Sequence, residues 1–277
     1  MLLPKNSFFT LMLTAFVVLG ISCTDATEPS EAVASPEYIH PAFFIQLQDL
    51  AMLIDDLPQT QQDAILSRPE VFLDLIEQAL ALRYEYTVLV DKQHGLDPDF
   101  APDDLVPLTD YPSLRRTRDD LALSRSIMPM ALAMQEAARQ DGVQLIYAST
   151  YRSYRYQTGL FQTWVNRLGK EEAERVSARA GHSQHQLGTV IDFSPISQVF
   201  SGTKDYEWLR NNAHRYGFSL SYPADLENIT GYTYESWHWR YIAMPGIRLQ
   251  REFFDYVQQY YLHFLHNNRN FFNAARR

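Results

Sequence analysis

At 277 residues, 46% of them hydrophobic, the chain can bury one sizeable core and is far too apolar to be disordered. A formal net charge of -9 without a basic face excludes nucleic acid as the main partner. Cys23 is the only cysteine, which rules out an intrachain disulfide and leaves stability to packing and any bound metal.

The first segment, 1–22, reads as an export signal. Lys5 supplies a positive charge, and 8–21 is almost wholly apolar but too short for a comfortable membrane span. Cys23, directly behind it, resembles the lipidation site of a bacterial lipoprotein, with Gly20 where such sites usually carry Leu. An ordinary cleaved signal with an incidental thiol is the alternative. Residues 24–36 are small, polar and acidic and are expected to be a linker.

Residues 37–88 are expected to form a helical extension. Phe43, Phe44, Leu47, Leu50, Ala51 and Ile54 recur at helical spacing until Pro58. A short helix follows over 61–66, then a longer one through Val71, Leu75, Ile76, Ala79, Leu80 and Leu82. This stretch shows no polar constellation that implies chemistry, so it is read as packing. The segment 90–106 is rich in turn residues. The spacing of Ile127, Met130, Ala131, Met134, Ala137 and Ala138 predicts an amphipathic helix over 125–140, ended by Gly142. A strand is expected over 143–148, a helix over 156–178, and a short helix over 208–216 that stops at Gly217. Strands are expected at 218–222 and 237–242, the second placing His238 and Arg240 on one face and Trp237, Trp239 and Tyr241 on the other. An aromatic helix over 249–266 and a basic tail complete a C-terminal region of 249–277.

Two short runs carry the chemistry. The first, Ser183-Gln184-His185-Gln186-Leu187-Gly188-Thr189-Val190-Ile191-Asp192, ends on a β-branched run that reads as a strand. The second is Glu235-Ser236-Trp237-His238-Trp239-Arg240-Tyr241. Two imidazoles and a carboxylate can hold a catalytic zinc and leave a fourth position for water. Glu235, ahead of His238, is then a free carboxylate suited to act as base. His182 is a rival ligand if its segment is helical; a loop leading into a strand favours His185 with Asp192. His40, His94, His214, His263 and His266 show no carboxylate at a recognisable spacing and are read as surface or core histidines.

These runs, together with Tyr151-Arg152-Ser153, resemble the VanY-type D-alanyl-D-alanine carboxypeptidases, zinc metallopeptidases of the bacterial cell wall. The resemblance extends from about Leu89 to Ile242 and includes the 211–218 stretch. It implies that His185, Asp192 and His238 bind Zn2+, that Glu235 is the catalytic base and that Arg152 steadies the oxyanion. Ser183, Tyr151, Ser153, Gln157 and Trp237 are the expected substrate-binding residues. Three positions depart from the family pattern: Val190 replaces Ala, Gln184 stands where Glu is common, and Ser221 replaces an Arg before Tyr-Pro. The last two put fine specificity in question and leave the metal site intact.

The expected fold is α+β: a small antiparallel sheet carrying the zinc site, flanked by helices, with a catalytic domain over 89–248. The expected activity is removal of the C-terminal D-alanine from peptidoglycan stem peptides in the bacterial cell envelope, periplasmic or on the outer face of the cytoplasmic membrane. The membrane is met only through a lipid anchor. An L,D-carboxypeptidase or endopeptidase with the same zinc site is the first alternative. A non-catalytic peptidoglycan-binding pseudoenzyme is the second; an intact Glu235 speaks against it. A secreted eukaryotic hydrolase, with Asn228-Ile229-Thr230 as a glycosylation sequon, fits poorly with the lipoprotein-like start.

Overall fold

The structure, a computed structural model, describes residues 37–277; the expected signal peptide, Cys23 and the linker lie outside the described residues. The chain first makes α1 (Leu47–Leu53), α2 (Gln59–Ser67), α3 (Pro69–Leu80) and the single turn α4 (Tyr84–Thr87). Pro58 and Pro69 stand at the starts of α2 and α3, where a missing N–H costs nothing. Next come β1 (Leu105–Pro107), β2 (Arg115–Arg116), β3 (Ala122–Ser124), α5 (Met128–Gln140) and β4 (Ile146–Ser149).

The helix expected over 156–178 is two: α6 (Tyr154–Leu168) and α7 (Lys170–Val176). Gly169 between them has φ 80°, a left-handed value that a continuous helix cannot contain. The chain continues with β5 (Val190–Phe193), α8 (Lys204–Asn212), β6 (Phe218–Leu220), α9 (Glu227–Thr230) and β7 (His238–Tyr241). It ends with α10 (Ala243–Phe253) and α11 (Gln258–Ala274). The aromatic helix expected over 249–266 is therefore also split, at Asp255 and Tyr256, whose φ values of 50° and 64° turn the backbone.

The main sheet has five strands in the order β2-β4-β5-β7-β6. Its pairs are antiparallel, as expected for the strands that carry the site, except that the two-residue edge strand β2 runs parallel to β4. β5 lies at the centre and all four of its residues are buried. Ile191 and Phe193 enter a core shared with Leu123, Ile127, Met134 and Trp239. In the β5–β7 ladder Asp192 stands directly opposite His238. Residues opposite each other in a ladder project to the same face, so this register alone puts the carboxylate and the imidazole side by side.

A second core joins the two ends of the described chain. Leu50, Ile65, Phe72 and Ile76 pack with Ile247, Phe253, Tyr261, Phe264 and Phe272. Phe72 is at its centre, edge-on to Phe253 at 5.2 Å and to Phe264 at 5.6 Å. The ends also pair through backbone, Phe44 N–H donating to Ala275 O at 2.7 Å and Arg277 N–H to Ala42 O at 3.0 Å. Arg240, fully buried, donates from Nη2 to the carbonyls of Val88 (2.7 Å) and Glu85 (3.2 Å), tying β7 to the end of the extension.

Candidate active site

Ser183 opens a 3-10 turn over Gln184–Leu187, its hydroxyl accepting the His185 N–H at 3.4 Å. Gly188 ends the turn at φ 67°, where a Cβ would stand 2.9 Å from the Pro102 ring. This left-handed step delivers the chain into β5 with His185 folded back over Asp192. His185, Asp192 and His238 each offer a donor atom, and the three atoms lie within 4.8 Å of one another. All three side chains are buried.

The hydrogen bonds on the far sides of the rings identify the donors. His185 Nδ1 is 2.6 Å from Thr150 O, and a carbonyl only accepts, so Nδ1 carries the proton and Nε2 keeps its lone pair. His238 Nε2 is 3.2 Å from the Gln184 amide oxygen, which likewise leaves Nδ1 with the lone pair. His185 Nε2 then points at Asp192 Oδ2 from 3.1 Å, and His238 Nδ1 at Asp192 Oδ1 from 3.1 Å. Two lone pairs aimed at a buried carboxylate repel it. His185 Nε2 and Asp192 Oδ1 have no hydrogen-bond partner. A cation among them would turn each of these costs into a ligand bond, and two imidazole nitrogens with one carboxylate oxygen are a zinc donor set.

The titration preferences agree. Burial, helped by the nearby Arg152 charge, pushes His185 down to about 4, and burial lowers His238 as well. Burial alone would raise Asp192, but without a metal a proton shared with the facing imidazoles outweighs it and holds the carboxyl well below the usual carboxylate range; a bound cation would take that proton's place. Neutral imidazoles and an ionised carboxylate are the forms a metal requires. Glu235 behaves oppositely: burial, and then the Asp192 charge, raise it well above an ordinary glutamate. Its Oε2 lies 3.4 Å from His238 Nδ1, beside the donor set. A raised carboxyl in that position is what a general base near neutral pH needs.

These groups line a cavity of about 490 Å³. Arg152, Ser183 and Trp237 also border it. Gln157 does not; it is buried, accepts from Arg152 Nη1 at 3.0 Å and donates to Ala178 O at 2.7 Å, so it braces the guanidinium. Ser153 caps α6, its hydroxyl accepting from Tyr156 N–H at 3.1 Å. Tyr151 is half-buried, holds Ala122 O through its backbone, and does not line the cavity.

His182 turns away from the metal donors, its Nδ1 2.8 Å from Asp91 O. Two of the histidines expected to lack carboxylate partners share one: Asp91 is 2.9 Å from His94 and 3.3 Å from His263. His40 also has one, Asp74 at 2.7 Å. With Glu77 those two form a second cluster, but His40 Nδ1 accepts the Ala42 N–H at 3.2 Å. Its Nε2 is therefore protonated and donates to Asp74, so it offers no lone pair to an ion. Tyr222 was not singled out from the sequence as a site residue; it is buried in the cavity wall with its ring 4.7 Å from that of His238. Its place two residues beyond β6, the strand paired with β7, was the available signal.

An α+β sheet whose central ladder carries a buried His–Asp–His set beside a raised glutamate has the donor set and the neighbouring carboxyl of a metal-assisted hydrolase site. The family model described as VanY, D-alanyl-D-alanine carboxypeptidase, matches residues 120–244, and that stretch is a domain of this family. YodJ of Bacillus subtilis (strain 168), named provisionally a carboxypeptidase, is 33% identical over 171 residues, or 58% of this chain and 61% of YodJ. The chain thus spans less than two thirds of that relative's length. Among solved structures, the LdcB LD-carboxypeptidase superposes with a TM-score of 0.57 at 30% identity, covering 63% of this chain and 84% of LdcB. A glutamate-to-alanine mutant of the vancomycin-resistance D,D-pentapeptidase VanY, in complex with Zn(II), gives a TM-score of 0.53 at 27% identity, covering 64% of this chain and 99% of that one.

Proposed function

We propose that the protein is a zinc-dependent D-alanyl-D-alanine carboxypeptidase that removes the C-terminal D-alanine from peptidoglycan stem peptides. The observation that carries this reading is the convergence of two imidazole lone pairs on the Asp192 carboxylate with Glu235 alongside. The zinc complex of the related VanY enzyme supports the choice of metal.

His185 Nε2, His238 Nδ1 and the Asp192 carboxylate would hold the ion. When bound, zinc supplies a Lewis acid that acidifies water and polarises the scissile carbonyl. Glu235 takes a proton from the attacking water as its oxygen bonds to the carbonyl carbon. The same carboxyl then returns that proton to the amine as the C–N bond breaks, releasing D-alanine and a shortened peptide. Burial favours the protonated form of Glu235 and a neighbouring cation favours the carboxylate, so the group can serve in both directions. Arg152 brings positive charge to the carbonyl oxygen as negative charge grows there. Ser183 accepts the His185 N–H and keeps its own O–H for the carboxylate of the substrate. Trp237 forms a wall.

In this reading 1–22 is a signal peptide, Cys23 carries a lipid and 24–36 is a tether. Residues 37–88 and 249–277 are helical additions to a catalytic unit spanning 89–248. The reaction then takes place outside the cytoplasmic membrane, in the cell envelope.

The likeness to LdcB keeps L,D-carboxypeptidase activity as a second reading. Mass spectrometry of defined pentapeptide and tetrapeptide muropeptides after incubation with zinc-loaded protein separates them. Loss of terminal D-alanine from the pentapeptide alone supports the D,D reading, and trimming of the tetrapeptide supports the other. Tight binding of either without cleavage would leave a recognition module.

A further inference from the structure

The ring of His238 can present either nitrogen to the cavity, and something has to choose. Its outer nitrogen, Nε2, meets the side-chain oxygen of Gln184 at 3.2 Å. That oxygen also accepts the Ser221 hydroxyl at 2.8 Å. The hydroxyl is 3.3 Å from the side-chain oxygen of Gln258, the first residue of α11, whose amide donates to Ser219 O at 3.4 Å. Gln184, Ser221 and Gln258 are each 2% exposed. Burying an unpaired amide is costly, so the contacts these three polar side chains make with one another are what let them be buried together. Gln184 and Ser221, two positions where the sequence departs from the family pattern, are in direct contact.

We propose that Gln184, oriented by the Ser221 hydroxyl, is the positioning residue that makes His238 a metal ligand. This rests on the zinc reading above. The logic is one of donors and acceptors. A Gln184 amide turned the other way would present N–H to Nε2 and drive the ring proton onto Nδ1, among the metal donors, where it blocks coordination. Ser221 has a single proton to give and gives it over the shorter distance to Gln184, marking that end of the amide as the accepting one. Gln258, its amide N–H held by Ser219 O, sets its oxygen 3.3 Å behind Ser221 as a more distant rival for that proton. The chain of contacts runs from α11 through β6 and the 3-10 turn to β7, linking the second core to the ligand set.

The test measures zinc affinity by chelator competition, with the absorption spectrum of the cobalt-substituted protein as a second readout. Gln184→Met keeps the side chain's length and removes the acceptor; zinc binding is expected to weaken about 10–100-fold with an altered cobalt spectrum. Gln184→Glu keeps an acceptor and is expected to stay near the native affinity. The thermal midpoint of metal-free protein shows whether Gln184→Met still folds. If it does not, Ser221→Ala, which removes only the orienting hydroxyl, is expected to weaken zinc several-fold. Native affinity in both Gln184→Met and Ser221→Ala, or equal losses in Gln184→Met and Gln184→Glu, would overturn the proposal. A native protein that binds no zinc, or binds it as well after His185→Ala, would sink the zinc reading itself.

Discussion

Arg152 Nη2 and His185 Nε2 each lie 3.1 Å from the same oxygen, Oδ2 of Asp192. The guanidinium thus borders both the ligand set and the cavity where the scissile carbonyl would sit. Replacing it with a side chain of similar bulk separates its charge from its packing. Arg152→Met is expected to lower kcat by about 10²–10³ with a much smaller change in KM, as for loss of an oxyanion donor. Steady-state kinetics on a pentapeptide decide it: a loss confined to KM would assign Arg152 to ground-state binding.

Glu235 lies beside the donor set and has no role in holding the metal in the proposed mechanism. Glu235→Gln keeps its shape and removes the base. Turnover should fall by about 10²–10⁴ while zinc content, measured by elemental analysis, stays stoichiometric. Retained turnover would remove Glu235 from the mechanism.

The site also sets an acid limit on the metal-free fold. His185 and His238 titrate lower in the fold than in the unfolded chain, so acidification protonates the unfolded chain first. Their contribution to stability is present above the usual imidazole value of about 6.5 and is lost as the pH falls towards about 4. Glu235 works in the opposite direction. Its folded pKa is raised, so it takes up a proton in the fold before the unfolded chain does, and it offsets part of that loss. Metal-free Glu235→Gln should therefore lose thermal stability more steeply than the native protein between about pH 6.5 and 4. Equal slopes in calorimetric scans would refute this balance.

Gly188 is needed for its backbone. At φ 67°, with a Cβ position 2.9 Å from the Pro102 ring and 3.1 Å from Leu105 Cδ2, it has no room for a side chain. Gly188→Ala is expected to cost about 1–3 kcal/mol and to lower the urea midpoint accordingly. An unchanged midpoint would show that the turn can be redrawn.

The donor residues were legible because their placement is local. Strand alternation puts His238 opposite Asp192, and a short turn brings His185 over both. Other features depend on partners far away in the chain. The breaks at Asp255 and Tyr256 place non-glycine residues in left-handed backbone, which no spacing pattern announces. Asp91 meets His94 three residues on, but reaches His263 only after α11 has packed. Gln157 was expected to be a substrate contact; in the fold its side chain meets the Arg152 guanidinium and Ala178 O. Gln258 carries no motif, and its reach towards Ser221 exists only once β6 and α11 meet.

The backbone clasp between 42–44 and 275–277 has a consequence for biosynthesis. A nascent chain emerges from its amino end, so Phe43 must wait for almost the whole remainder to be translated before its pairing surface exists. Until then the early helices lack half of their apolar neighbours and are exposed to chaperones and proteases alike.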